Sequence, residues 1–195
     1  MKHESLQIIR DEHTTLSAML RSLTMMLRRG SGSDSDGFFD TLRAMLFYVD
    51  EFPERMHHPK ESNLLFPMVC RVAPQATATV ERLEQEHARG ESAIRELQHL
   101  LLAWELLGDS RREKFETAAN AYVDFYLSHM RLEESAILPV AETSLSDADW
   151  AELDAAFSQN RDPMGSRHPR DPVFDRLFTR IVMTAPEPIG LGSSR

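Results

Sequence analysis

At 195 residues, with 42% hydrophobic and 27% charged side chains, the chain has the length and balance of a single globular domain. Its net charge of -9, with no Lys/Arg-rich run interleaved with aromatics, argues against nucleic acid as a partner, because such a surface repels a phosphate backbone. The single cysteine, Cys70, excludes an internal disulfide and a thiolate cluster, and without an apolar leader or a bilayer-length apolar run the protein is expected to be cytoplasmic, with no membrane contact.

The hydrophobic pattern predicts helices almost throughout. Leu6, Ile9, His13, Leu16, Leu20, Leu23 and Leu27 alternate steps of three and four, the inward stripe of a first helix that ends near Arg28-Arg29-Gly30 before a loop over 31–37. A second segment, from about Phe38 to Cys70, leads through Leu42, Leu46 and Val49 to His57, Glu61 and Leu64. Pro59 falls between His57 and Glu61, so this helix is expected to kink, or to stop and restart with the proline in its first turn. A third helix opens after Pro74 and closes at Gly108, with Val80, Leu83, His87, Ile94, Leu97 and Leu101 as its stripe. Asp109 or Ser110 caps a fourth, whose inward line is Phe115, Tyr122, Tyr126, His129, Glu133 and Ala136. Four long amphipathic helices on short loops predict an all-α, up-down-up-down four-helix bundle over 1–143. The remainder, 144–195, reads as a helical extension. It has a short helix from Ser146 to about Phe157, a loop over 160–171 and an amphipathic segment through Phe174, Leu177, Phe178 and Ile181. It is expected to pack outside the bundle without chemistry of its own.

One stretch occurs twice without a gap. Residues 57–67 align with 129–139, placing His57 on His129, Glu61 on Glu133 and Pro67 on Pro139, and a Glu-His pair lies upstream of each copy, Glu12-His13 and Glu86-His87. A lone histidine on an apolar face is most simply a hydrogen-bonded core residue. Four of them, one per helix and separated by 74 (His13 to His87) and 72 (His57 to His129) positions, point instead to a duplicated metal site. Glu61 and Glu133 strengthen this, since an inward carboxylate without a cation or hydrogen bonds costs several kcal/mol, and the inward lines of the first, third and fourth helices carry no Lys or Arg. Imidazole and carboxylate ligands without thiolate suit iron, manganese or zinc. Four histidines and two carboxylates exceed the roughly four ligands of a tetrahedral zinc site. Two ions fit the count, each with two histidines, bridged by Glu61 and Glu133 and by an oxo or hydroxo group, with positions left for a small molecule.

These residues resemble the hemerythrin-like (HHE cation-binding) family. The similarity covers about residues 3–142 and is strongest over Phe52-Pro53-Glu54-Arg55-Met56-His57-His58-Pro59-Lys60-Glu61, Leu65-Phe66-Pro67 and His129-Met130-Arg131-Leu132-Glu133-Glu134. The tail, with Asp149-Trp150 and Ala185-Pro186-Glu187-Pro188-Ile189-Gly190, is similar to that of longer bacterial members. The resemblance implies a non-haem di-iron centre in a four-helix bundle, with His13, His57, His87 and His129 as terminal ligands, Glu61 and Glu133 as bridges, and zinc or manganese as substitutes for iron.

The chain departs from the oxygen-carrying members in two places. They carry a histidine pair four residues apart on the third helix, whereas here His87 has Leu83 before it and Glu91 after it. One nitrogen ligand is thus missing, and Glu91 or water is expected in its place. The carriers also set the second bridging carboxylate five residues after the last histidine, a spacing that Glu134 has here. Glu133 is preferred because it matches Glu61 in the repeat and shares a face with His129. His58, about 100° around a helix from His57, is assigned to the outer shell or the surface and kept, with Glu91 and Glu134, as a secondary candidate for the metal. His99, His3 and His168 are expected outside the site, and Tyr122 and Tyr126 to be core aromatics. The expected function is a di-iron protein that senses or handles oxygen, nitric oxide, peroxide or iron itself. A peroxidase-like oxidoreductase and a metal-free helical interaction module are the alternatives.

Overall fold

A computed structural model describes residues 3–160, 162–165 and 172–192. The described residues are helical almost throughout. Helix α1 (Glu4–Arg29) ends as its pattern predicts, with Arg28 and Arg29 in the last turn and Gly30 at φ 70 closing it. The second rod begins earlier than expected, at Ser35, because the Asp34 side chain accepts from the Gly37 N–H and caps it. It comprises α2 (Ser35–Val49), a π-helical stretch (Asp50–His57), α3 (His58–Lys60), a second π-helical stretch (Glu61–Leu65) and α4 (Phe66–Val72). The third is α5 (Thr77–Leu107), stopped at Gly108 with φ 83. The fourth comprises α6 (Arg112–Leu132), a π-helical stretch (Glu133–Ile137) and α7 (Leu138–Ser144).

Pro59 lies in the first turn of the short α3, the second of the two arrangements expected, and the wide turns on either side explain how the rod stays helical around it. A proline lacks an N–H and its ring collides with the carbonyl four residues back in an α-helix. A π-turn bonds to the fifth residue back instead. Thus His58 donates to Pro53, Phe66 to Glu61, and Leu138 to Glu133. The sequence repeat is therefore also a structural repeat, with π-turns at 61–65 and 133–137 that open on Glu61 and Glu133 and run into Pro67 and Pro139. The stretch at 50–57, around Pro53, is not duplicated, since its counterpart lies within α6.

The rods pack in a ring, α1 against α2 and α6, and α5 against α2 and α6. Apolar side chains fill two regions. One holds Leu20, Leu42, Phe115 and Tyr126, and the other Ile9, Phe66, Leu83 and Ile137. Between them lies a layer of buried histidines and glutamates. Helix α8 (Asp147–Phe157), opened by a capping box of Ser146 and Asp149, packs on α1, where Asp154 accepts from the Ser5 N–H and hydroxyl at 2.7 and 2.5 Å. Helix α9 (Asp175–Thr184) packs on α2. Beyond it, Ser22 donates to the Pro186 carbonyl at 2.8 Å and accepts from the Ile189 N–H at 3.1 Å. Among the described residues no helix is long and apolar enough to cross a membrane.

Candidate metal centre

Each rod contributes to the polar layer between the two apolar regions. His13 comes from α1, His57, His58 and Glu61 from the second rod, His87 from α5, and His129 and Glu133 from the fourth. All seven are at most 7% exposed. Their ligand-type atoms form three overlapping groups able to hold a cation: His13, His57 and Glu61; His58, His87 and His129; and Glu61, His87 and Glu133.

The imidazoles are oriented by a consistent outer set of oxygens. His57 Nδ1 lies 2.6 Å from Glu12 Oε2, and His129 Nδ1 lies 2.9 Å from Glu86 Oε2. His13 Nδ1 is 3.1 Å from Glu134 Oε1, and His58 Nδ1 is 3.1 Å from Glu54 Oε2. His87 Nδ1 is 3.0 Å from Ser62 Oγ, whose own proton is donated to Glu84 Oε2. Five Nδ1–H groups thus point outward to acceptors, which fixes the tautomer and turns every Nε2 inward. The pairing follows the repeat. The carboxylates of the two Glu-His motifs serve His57 and His129, while Ser62 and Glu134, which align with each other, serve His87 and His13.

What the Nε2 atoms meet is not enough to satisfy them. His87 Nε2 and His129 Nε2 face each other at 3.1 Å, two lone pairs when both Nδ1 atoms carry the proton. His57 Nε2 and all four oxygens of Glu61 and Glu133 are buried without a hydrogen-bond partner; the sixth such atom among the described residues, Asp50 Oδ1, belongs to another cluster. Five contacts bring imidazole Nε2 atoms to these oxygens, the shortest His57 to Glu61 at 3.0 Å and His129 to Glu133 at 3.2 Å, and none has hydrogen-bond geometry. Buried carboxylates in that condition cost several kcal/mol each unless positive charge sits between them. A cation-binding group of imidazole and carboxylate donors fits these residues.

The proton affinities report the same demand for positive charge. Burial alone would lower the His129 pKa, yet Glu133 and Glu86 push it up to about 9. His57 is likewise raised well above its ordinary value, with burial overcome by Glu61 and Glu12. His58 goes the other way, depressed by burial and by the neighbouring His87, His57 and His129. Glu54 is pushed up to about 7 by burial, although Tyr126 and Tyr122 both donate to its Oε1.

Two sequence expectations change. His58 does not lie at the surface: it is 5% exposed and stacks on His87 with ring centroids 4.2 Å apart. The 100° separation from His57 assumed an α-helix, but the π-helical stretch at 50–57 turns through fewer degrees per residue, so neighbouring rings share the inner face. Glu91 is not in the site; its side chain is 51% exposed and pairs with Arg95. A third imidazole beside His87 and His129 comes from His58 instead. Glu134 is an outer partner of His13 with a half-exposed side chain, whereas Glu133 lies at the centre. His99 is exposed, His3 stacks on Trp150, and His168 lies outside the described residues. Sequence reasoning overlooked Glu54 and Ser62; the four-residue spacing of Glu54 and His58, the mirror of His57 and Glu61, is the signal for the first.

The repeat also shows an asymmetry. The position aligned with His58 is Met130, so one half of the layer has three imidazoles and the other two. Beside the two-imidazole half is a cavity of about 20 Å³, lined by His13, His57, Met130, Phe52 and Asp162. That volume admits a water-sized molecule.

An all-α bundle with this buried layer defines a helical cation-binding protein. The chain belongs to the hemerythrin HHE cation-binding domain family, whose model matches residues 4–141. A comparison with curated proteins gives no match.

Proposed function

We propose that the protein is a di-iron binding protein, its four rods alternating up and down, that handles a small oxidant or diatomic ligand. The residues of the polar layer would hold both ions, His13 and His57 one, His58, His87 and His129 the other, with Glu61 and Glu133 shared between the two groups. Bound iron supplies redox change and open coordination positions, and zinc or manganese fits the same donors. The chain's residues supply the rest. The five outward Nδ1–H bonds hold the donors in place before loading, and the apolar regions on either side keep bulk water away. The observation that carries this reading is that five buried atoms, His57 Nε2 and the carboxylate oxygens of Glu61 and Glu133, lack a hydrogen-bond partner while their side chains belong to groups whose ligand atoms lie within 4.8 Å of one another.

The two-imidazole half, one nitrogen short and next to the small cavity, supports dioxygen, nitric oxide or peroxide as the ligand class. The same feature favours a second reading, peroxide reduction at that half, which predicts turnover with peroxide and a reductant. Iron analysis with optical spectra in the absence and presence of air tests the first reading. About two irons per chain, with charge-transfer bands that change on oxygenation, is the expected result. Fewer than about one ion per two chains after iron-replete expression would contradict it.

A further inference from the structure

The C-terminal extension touches the polar layer through one side chain. Asn160, three residues beyond the end of α8 and 6% exposed, donates from Nδ2 to both carboxylate oxygens of Glu12, at 2.9 and 3.0 Å. Its Oδ1 accepts from Lys60 Nζ, which settles which end of the amide faces Glu12. Glu12 Oε2 in turn receives His57 Nδ1–H at 2.6 Å. The equivalent carboxylate in the other half, Glu86, is held differently, by Arg82 Nε at 2.8 Å from one turn back on its own helix. Of the carboxylates in the two Glu-His motifs, Glu12 takes hydrogen bonds from outside the bundle and Glu86, among the described residues, takes its from within.

Glu12 has 16% of its side chain exposed and the Asp162 carboxyl nearby, so without its amide partner its carboxylate is free to swing toward water. An amide bonded to both oxygens fixes the plane of the carboxylate and hence the ring it holds. We propose that Asn160 is a positioning residue that aims His57 Nε2 through Glu12, which makes the extension part of the two-imidazole half of the site. The proposal rests on the two-ion reading for its effect on metal, but not for its effect on His57.

Asn160→Leu, which keeps the branching at Cγ and removes the donors, and Asn160→Ala test this in the full chain. In chelator-treated protein the ring N–H of His57 is followed by ¹H–¹⁵N NMR. It is expected to exchange with water at least about tenfold faster in both variants, while those of His87 and His129 do not change. Anaerobic Fe(II) titration is then expected to show one uptake step weakened about 10–100-fold and the other unaltered. Ser5→Ala, which removes the hydroxyl's hydrogen bond to Asp154 between α1 and α8, is the control, expected to lower the melting temperature without moving either readout. Unchanged His57 exchange in the Asn160 variants overturns the proposal, and so does an equal loss of both uptake steps that Ser5→Ala reproduces. A wild-type chain that takes up no Fe(II) sinks the two-ion reading alone, because the NMR comparison is made without metal.

Discussion

The metal-depleted protein should lose stability as pH rises, the reverse of what a carboxylate-dominated acidic protein would show. His129 carries its proton up to about 9 in the folded state against 6.5 for a free imidazole. A group whose folded pKa is raised contributes stability that is fully present below the unfolded value and is lost as pH climbs through the folded one. The window is therefore 6.5 to 9. With each pH unit worth about 1.36 kcal/mol, His129 alone contributes about 3 kcal/mol at pH 6.5 that is gone above pH 9. His13 and His57 are raised too and steepen the loss. Burial lifts Asp162 to about 6 and Glu54 to about 7, so their ionisation in the folded state weakens the protein at lower pH, and the slope begins before the histidines titrate. The assay is urea unfolding of chelator-treated protein from pH 5 to 9 at fixed ionic strength, with Glu133→Gln as comparison. Removing that charge takes away what holds the His129 proton and should flatten the profile. Loading with Fe(II) at pH 7.5 should release protons, because the cation replaces them. Stability that is level or rising between pH 6.5 and 9, or metal uptake without proton release, would refute the reasoning.

Three further outcomes follow from the geometry. His129→Ala should lower iron content and melting temperature together, since ligand binding stabilises the fold, while exposed His99→Ala should change neither; equal iron content in the two variants would contradict the site. His58→Ala should reduce metal content and Glu91→Ala should leave it intact, measured side by side by elemental analysis, and the opposite ranking would restore Glu91 as a ligand. Gly90→Ala, which on helix propensity alone would gain about 1 kcal/mol, should instead destabilise by about 1–3 kcal/mol. The new methyl would collide with the Tyr126 hydroxyl and push it off Glu54. A higher melting temperature in that variant would show that the phenol has room to move.

The histidine and glutamate positions are legible in the sequence because the repeat preserves their spacing, so that His13, His57, His87 and His129 each fall on an apolar stripe. Helix ends at Gly30 and Gly108 are legible for a local reason, the left-handed backbone at each. His58 is misplaced because side-chain direction was inferred from α-helical rotation, and only the prolines hinted that the second rod is wound otherwise. Pro59, read as a place for a kink or a restart, sits in the first turn of α3 in a rod that widens on either side. The Glu12–Asn160 contact joins residues 148 positions apart, and no pattern along the chain encodes it. The same holds for Tyr122 and Tyr126, whose aromatic character suggested core filling but whose hydroxyls both serve Glu54.

The wide turns also set how much insertion or deletion these rods tolerate. Each holds one more residue than the α-helical turn it replaces, so loss of one residue from 61–65 is absorbed by ordinary winding, whereas loss of one from an α-helical stretch such as α5 swings everything downstream by about 100°. Phe66 and Val69, neither accessible to solvent, would keep facing the interior after a loss from 61–65. The stretch between each buried glutamate and its following proline is therefore where these rods take up a change in chain length, at the expense of the turn itself and not of the core beyond it.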